Sequence, residues 1–440
     1  MHSPTSHTQQ PPAWLKRHLD DAHPPPKLFA WTPANLDGAE HGTGGHGHGR
    51  EPAGGDDLDR RIFILGIGNI GRLYASHLAR NPPATRPPIT LVVHRKELLS
   101  QWAAGSGIEL VTLGAAGRRS VCDKDAFNVE WWTETAPSHG PVREVVDGRK
   151  LRSLVIATKA SAAVPEADRL RRYLDAQSSV AFAQNGVCKL WPPHGPAYVA
   201  HRYPAAGSAP SFLACVTSHG LYSLGPFRSV HAAAADVSVG PVPVHLGHNH
   251  AAYLMRQIAS APQLQGRAVS SAELWLLQLE KLVYNSSINP LTALLRCKNG
   301  GLFEEPGGVV ARVMDRLLDE TSHVLQALVV HESAAEILAA ITPDEHHNRQ
   351  QQQQLQARFA QPRLREMLHA FGAKVAENTS SMLQDVLAGK PTEVRDFNGW
   401  LIDAAAFLDP GLDMSAHQAM VDLVESGIVL TKEELGRRLL

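Results

Sequence analysis

The stretch Arg61-Ile62-Phe63-Ile64-Leu65-Gly66-Ile67-Gly68-Asn69-Ile70-Gly71 constrains this chain more than any other. Its first five residues are a short run rich in β-branched and aromatic side chains, which reads as a buried strand. A glycine-rich turn follows, and Arg72 to Arg80 then reads as a helix. In a strand–turn–helix of this kind the first glycine makes the tight turn. The second lets a pyrophosphate approach the backbone, and the third lets the helix pack closely on the strand. Backbone N–H groups at the helix start, around Ile67, Asn69 and Ile70, then bind phosphate oxygens.

The next apolar run, Ile89 to Val93, ends in His94-Arg95-Lys96. An acidic residue there would hold a ribose 2′-hydroxyl. A basic one suits a 2′-phosphate, so the pattern points to NADPH rather than NADH. Two further buried-strand candidates end in Thr158-Lys159-Ala160 and in Gln184-Asn185-Gly186. Ligands of an open parallel sheet lie beyond the carboxyl ends of its strands, which places Lys159 and Asn185 beside the cofactor. Residues 114–150 read as short strands with an insertion, and Ser211 to about Leu246 as antiparallel strands. His219 and His231 lack acidic or cysteine companions at ligand spacing, so structural or cleft-lining roles are expected of them, and no metal.

From about residue 251 the pattern is helical. Lys281, Asn285 and Asn289 recur every fourth residue and so share one side of a helix over Ala272 to Leu295, with Pro290 kinking it or ending its first half. The residues between them are mostly apolar. A lysine and two amides on a buried helix need partners, and either protein groups or a bound polar ligand would serve. Later come Asn378-Thr379-Ser380-Ser381, a helix start, and Thr392-Glu393 ahead of a last pair of helices.

At 440 residues the chain exceeds one ordinary core. The expected organisation is α/β: a disordered or surface-draped extension over 1–57, a dinucleotide-binding domain of Rossmann type over 58–265, and an all-helical substrate domain over 266–440. The hinge is expected near 250–270, with both ligands in the cleft. The extension is rich in proline, histidine and glycine, and a polyglutamine patch at Gln350–Gln354 reads as a poorly ordered surface insertion. A formal net charge of −1 leaves no electrostatic footprint for nucleic acid. No run is long enough to span a bilayer. Four scattered cysteines without a C-x-x-C pair read as reduced thiols of an intracellular protein. No apolar core of the secretory kind follows the N-terminus.

Taken in order, G-I-G-N-I-G, T-K-A, Q-N-G, S-H-G, K-x-x-x-N-x-x-x-N-P-L-T-A-L, N-T-S-S-M-L-Q-D and T-E-x-x-x-x-N-G resemble the ketopantoate reductase family from about Arg61 to Leu440. The extension and the insertions near 120–150 and 345–360 lie outside that pattern and suggest a fungal member. The resemblance implies NADPH-dependent reduction of 2-dehydropantoate to pantoate, in the cytoplasm, with a mitochondrial location and a homodimer left open. It implies that Gly66, Ile67, Gly68, Asn69, Ile70, Gly71, Arg95, Lys159, Asn185, Leu221 and Glu393 bind the cofactor and that Lys281 donates the proton. Asn185, Asn285, Asn289, Asn299 and Ser381 would hold the substrate. The family's T-E-I-D reads Thr392-Glu393-Val394-Arg395 here, which leaves two alternatives: another 2-keto acid as substrate, or a non-enzymatic family member.

Overall fold

The computed structural model describes residues 10–37, 55–112, 118–243, 251–339 and 345–440. They form two compact units. One, built on sheets, comprises His23–Cys188 and Arg202–Leu274. The other is largely helical and holds the chain up to Ala22, Lys189–His201 and Trp275–Leu440.

In the sheet unit, nine strands among the described residues form one sheet. Their order is Phe29–Trp31, Phe127–Thr133, Ile89–Val93, Ile62–Leu65, Ser153–Ile156, Ser179–Ala183, Ser211–Thr217, Val237–Pro241 and Gly266–Ala268. The six from Phe127–Thr133 to Ser211–Thr217 run parallel. Ile62–Leu65, Ile89–Val93, Ser153–Ile156 and Ser179–Ala183 are buried at every position, because helices cover both faces of such a sheet. A second sheet runs in the order Gly220–Gly225, Arg228–Ala233, Gly107–Thr112 and Arg118–Asp123.

Three local readings change. The 211–246 segment is not wholly antiparallel: Ser211–Thr217 joins Ser179–Ala183 in parallel, and Arg228–Ala233 joins Gly107–Thr112 in parallel. Such partners lie far along the chain and leave no local pattern. Described residues of the extension take regular structure: Ala13–Asp20 is a helix and Phe29–Trp31 an edge strand, with Leu28, Ala30 and Trp31 buried. Those few apolar side chains suffice to anchor a segment whose composition is otherwise polar. The polyglutamine patch lies in a helix, Glu345–Arg358, consistent with glutamine's good helix propensity.

The helical unit is organised on Ser271–Leu295, a 25-residue helix with Pro290 inside it. Leu279, Leu282, Val283 and Leu291 are wholly buried along it, and Tyr284 stacks on Phe371 at 4.2 Å. Val309–Leu328, Gln361–Lys374, Val394–Leu408, Ser415–Glu425 and Lys432–Leu439 complete the main helices of the unit. No helix among the described residues is long and apolar enough to cross a membrane.

Candidate active site

The glycine turn sits between the strand Ile62–Leu65 and the helix Asn69–Leu78. Gly66 has φ +95°, and a Cβ there would lie 2.8 Å from the carbonyl oxygen of Ala157. A Cβ on Gly71 would lie 2.0 Å from the carbonyl oxygen of Gly66, closer than any real contact. At Gly68 a Cβ would meet nothing within 4 Å. Two glycines thus allow close packing and the middle one leaves the backbone open. That is the cradle a pyrophosphate needs, so these residues fit a dinucleotide. The helix start has no side-chain cap of its own, and its N–H groups remain to face phosphate.

One residue that holds this turn escaped the sequence reading. Arg72, buried in the first turns of the helix, donates through Nε to Ile67 O at 3.0 Å. Through Nη1 it donates to Arg228 O at 2.6 Å and to Ser229 Oγ at 3.0 Å. The Ser229 hydroxyl in turn donates to Asn69 Oδ1 at 2.8 Å. Burial brings the guanidinium down to about 10, still charged at neutral pH. A run of glycines signals the turn, but nothing local in the sequence signals the arginine that braces it.

The other nominated residues of this unit lie at strand ends. Lys159 immediately precedes the helix Ala160–Arg169, just after Ser153–Ile156 and two residues beyond the Ala157 that packs on Gly66. Asn185 follows Ser179–Ala183 and precedes Gly186, whose φ is +80°. Arg95 immediately precedes the helix Lys96–Ala104 beyond Ile89–Val93, with its side chain exposed and Nε 4.0 Å from Glu97. Leu221 stands apart from these in the second sheet, paired with His231 and packed on the hydrophobic core. His219 and His231 are buried and bonded to each other at 2.9 Å, and the other ring nitrogen of His219 meets Leu264 O at 3.2 Å. These are structural pairings.

In the helical unit, Lys281 is partly buried on the long helix, and burial lowers its ammonium group to about 8. Glu393, 4% exposed at the start of Val394–Leu408, opposes that shift by its charge. Asn289 Nδ2 lies 3.5 Å from Asn285 Oδ1, and Asn285 Nδ2 is buried with no hydrogen-bond partner. Asn299 donates to Val375 O at 3.2 Å while its Oδ1 is buried without a donor. Ser380, rather than Ser381, caps the helix Ser381–Leu387, accepting from Leu383 N at 3.1 Å. The Ser380 hydroxyl also meets Thr292 Oγ1 at 2.7 Å, so Thr292 ties the long helix to the serine motif. Ser381 follows, partly buried.

Arg395, the departure from the T-E-I-D pattern, forms a two-armed pair with Glu425 on the exposed surface. Besides Glu393, the segment buries a second acid, Asp396, which pairs with Lys189 at 2.8 Å. Lys281 with Glu393 and Asn285 with Asn289 are therefore brought together, whereas Arg395 is engaged elsewhere.

Residues 62–243 match the profile of ketopantoate reductase PanE/ApbA, and residues 273–426 match that of the ketopantoate reductase PanE/ApbA C-terminal domain. Ketoisovalerate reductase BEA2 of Gibberella fujikuroi is 50% identical over 98% of this chain and 100% of its own length. Ketoisovalerate reductase of Beauveria bassiana is 46% identical over 98% of this chain and 99% of its own. Among solved structures, a D-mandelate dehydrogenase with NADH and anilino(oxo)acetate is similar in fold, with TM-score 0.55 at 12% identity over 85% of this chain and 99% of that one.

Proposed function

This chain belongs to the ketopantoate reductase family, and on that premise we propose that it reduces a branched 2-keto acid, 2-ketoisovalerate, to the 2-hydroxy acid. NADPH is the proposed cofactor. When bound, it supplies the hydride that the carbonyl carbon receives. The observation that carries the reading is Lys281. Reduction of a ketone builds negative charge on oxygen and ends with a proton there. A partly buried ammonium brought to about 8 is charged at neutral pH, yet gives up its proton far more readily than a solvated lysine. Glu393 keeps that site cationic against the cost of burial. The electron pair of the carbonyl takes the Lys281 proton, and the lysine regains one from solvent.

The other roles follow from residue chemistry. The Gly66–Gly71 turn, braced by Arg72, would hold the pyrophosphate, and Arg95 the 2′-phosphate. Lys159 and Asn185 would lie along the nicotinamide. Asn285, Asn289 and Asn299 offer amides, and the Ser381 hydroxyl suits a carboxylate.

Two relatives named ketoisovalerate reductases, alike over nearly the whole chain, support the substrate. Ketopantoate differs by a hydroxymethyl group in place of the C3 hydrogen. It stands as a second reading, because the buried, unpartnered Nδ2 of Asn285 is a donor a hydroxyl could satisfy. The test is the rate of NADPH oxidation with each acid, in wild type and Lys281→Ala. Turnover of 2-ketoisovalerate at higher kcat/KM, falling by ~100-fold or more in the variant, supports the reading. Preference for ketopantoate moves the assignment to the second. Failure to bind NADPH at all sinks both.

A further inference from the structure

The helix Ser271–Leu295 continues unbroken through Pro290. Proline has no N–H, so residue 290 cannot bond the carbonyl four residues back, and its ring crowds that oxygen. The carbonyl belongs to Ser286, which is 0% exposed, so water does not replace the missing donor. Asn398 does: its Nδ2 donates to Ser286 O at 2.9 Å.

The amide that makes this bond is itself held. Asn398 Nδ2 also lies 2.9 Å from His417 Nδ1. His417 Nε2 lies 3.1 Å from Leu317 O and 3.0 Å from Thr321 Oγ1. A carbonyl oxygen only accepts, so Nε2 carries the ring proton and Nδ1 is the acceptor that Asn398 requires. The start of the helix bearing His417 is anchored by Glu320, whose carboxylate accepts from Ala416 N at 2.8 Å and His417 N at 3.0 Å. Asn398 Oδ1 is buried without a partner. The side chain is thus engaged through its donors alone.

Ser286 follows Asn285, and Pro290 follows Asn289. The bond from Asn398 therefore falls on the turn between Lys281 and Asn285 on one side and Asn289 on the other. We propose that Asn398 is a positioning residue for the reaction: by holding the carbonyl that Pro290 releases, it sets the bend of the helix and with it the relative aim of Lys281, Asn285 and Asn289. This rests on the reading of Lys281 as proton donor. A displacement of ~1 Å at reacting groups costs about a hundredfold in rate.

A cycle of the full chain tests it: wild type, Asn398→Leu, Pro290→Ala and the double variant. kcat and KM are measured with 2-ketoisovalerate and NADPH, alongside NADPH binding and thermal unfolding. Asn398→Leu is expected to lose about a hundredfold, mainly in kcat, with NADPH binding retained. Pro290→Ala returns an N–H to the helix, so the double variant should recover at least about tenfold over Asn398→Leu alone. An equal loss in both backgrounds, or lowered stability with kcat intact, overturns the proposal. If Asn398→Leu does not fold, Asn398→Ser takes its place, its hydroxyl being too short to reach Ser286. Absence of turnover in the wild type overturns the reading of Lys281 instead. The thermal cycle then decides the coupling: a smaller loss of Tm with Ala at 290 supports it, and an equal loss refutes it.

Discussion

Arg72 reaches back across the turn it follows and donates through Nε to the carbonyl of Ile67, 3.0 Å away. The same guanidinium is fixed on its far side by Arg228 O and Ser229 Oγ, so the backbone between Gly66 and Gly71 is held from outside its own hydrogen bonding. Arg72→Met keeps much of the packing and removes the donors. It should weaken NADPH binding by ~10-fold or more while leaving kcat at saturating cofactor within a small factor, since a hydrogen bond from a charged group is worth about 1.5–3 kcal/mol. Equilibrium titration of NADPH fluorescence measures the first quantity and steady-state rates the second. Unchanged affinity would mean that the turn needs no brace.

The pH dependence of the rate reports on Lys281 separately. Its folded-state value of about 8 means that the ammonium form dominates at neutral pH and is lost as pH rises through that value. The kcat/KM profile should be level near pH 7 and fall tenfold per unit above about 8. Glu393→Gln removes the charge that opposes the burial effect, so the falling limb should move to lower pH. A limb that stays in place in this variant would show that another group sets it.

Much of this was legible in the sequence, for reasons that differ by element. The glycine turn is written in contiguous residues: Gly71 meets the backbone of Gly66 itself, whereas Gly66 meets Ala157 of a neighbouring strand end and is legible through its place in the motif. The row Lys281, Asn285, Asn289 is legible because helical periodicity projects spacing onto one side. Arg72 was not legible as a brace, since its partners Arg228 and Ser229 lie more than 150 residues on. Ser380 and Thr292 were masked by their motifs: in a Ser-Ser pair at a helix start the pattern does not say which hydroxyl caps and which is left for a ligand. Arg395 raised the alternative of another 2-keto acid, which the relatives named ketoisovalerate reductases support, but a one-letter departure carries no direction, and its side chain turns to Glu425. The apolar patch Leu28-Phe29-Ala30-Trp31 is legible as a segment that docks, but its strand pairing with Phe127–Thr133 is not, because the partner lies about a hundred residues on.

Acid should unfold the chain through histidines whose rings are buried or half-buried. Burial lowers His417 to about 4, His194 to about 4 and His77 to about 3, while an unfolded chain returns each to about 6.5. Below about 6.5 the unfolded state takes up protons that the folded state refuses, so stability falls with falling pH until the folded values are reached. For His417, which is 0% exposed, the loss amounts to about 3 kcal/mol at most. His417→Gln retains a donor and an acceptor without titrating. Its Tm should start lower at neutral pH and fall less steeply between about 6.5 and 4. Parallel Tm curves for the two proteins would remove His417 from the account.

On the proposed reading, cofactor choice would rest on Arg95. Its side chain is 53% exposed, and its nearest acid, Glu97, stands 4.0 Å away, a separation at which an exposed pair contributes little. The guanidinium is therefore not committed to a protein partner strong enough to compete with a phosphate, and it stands at the end of Ile89–Val93, where a dinucleotide's ribose is held in folds of this kind. A 2′-phosphate would gain a charge-assisted, two-armed bond there, whereas a 2′-hydroxyl would gain little. Wild type should prefer NADPH to NADH by ~10- to 100-fold in kcat/KM, the equivalent of about 1.5–3 kcal/mol. Arg95→Glu should repel the phosphate and offer a carboxylate to the hydroxyl, which lowers the NADPH rate and raises the NADH rate. Measuring both cofactors with both proteins separates preference from general damage: a real exchange moves the two rates in opposite directions. Two rates that fall together would assign Arg95 to the fold, and equal use of both cofactors by the wild type would remove NADPH from the proposal.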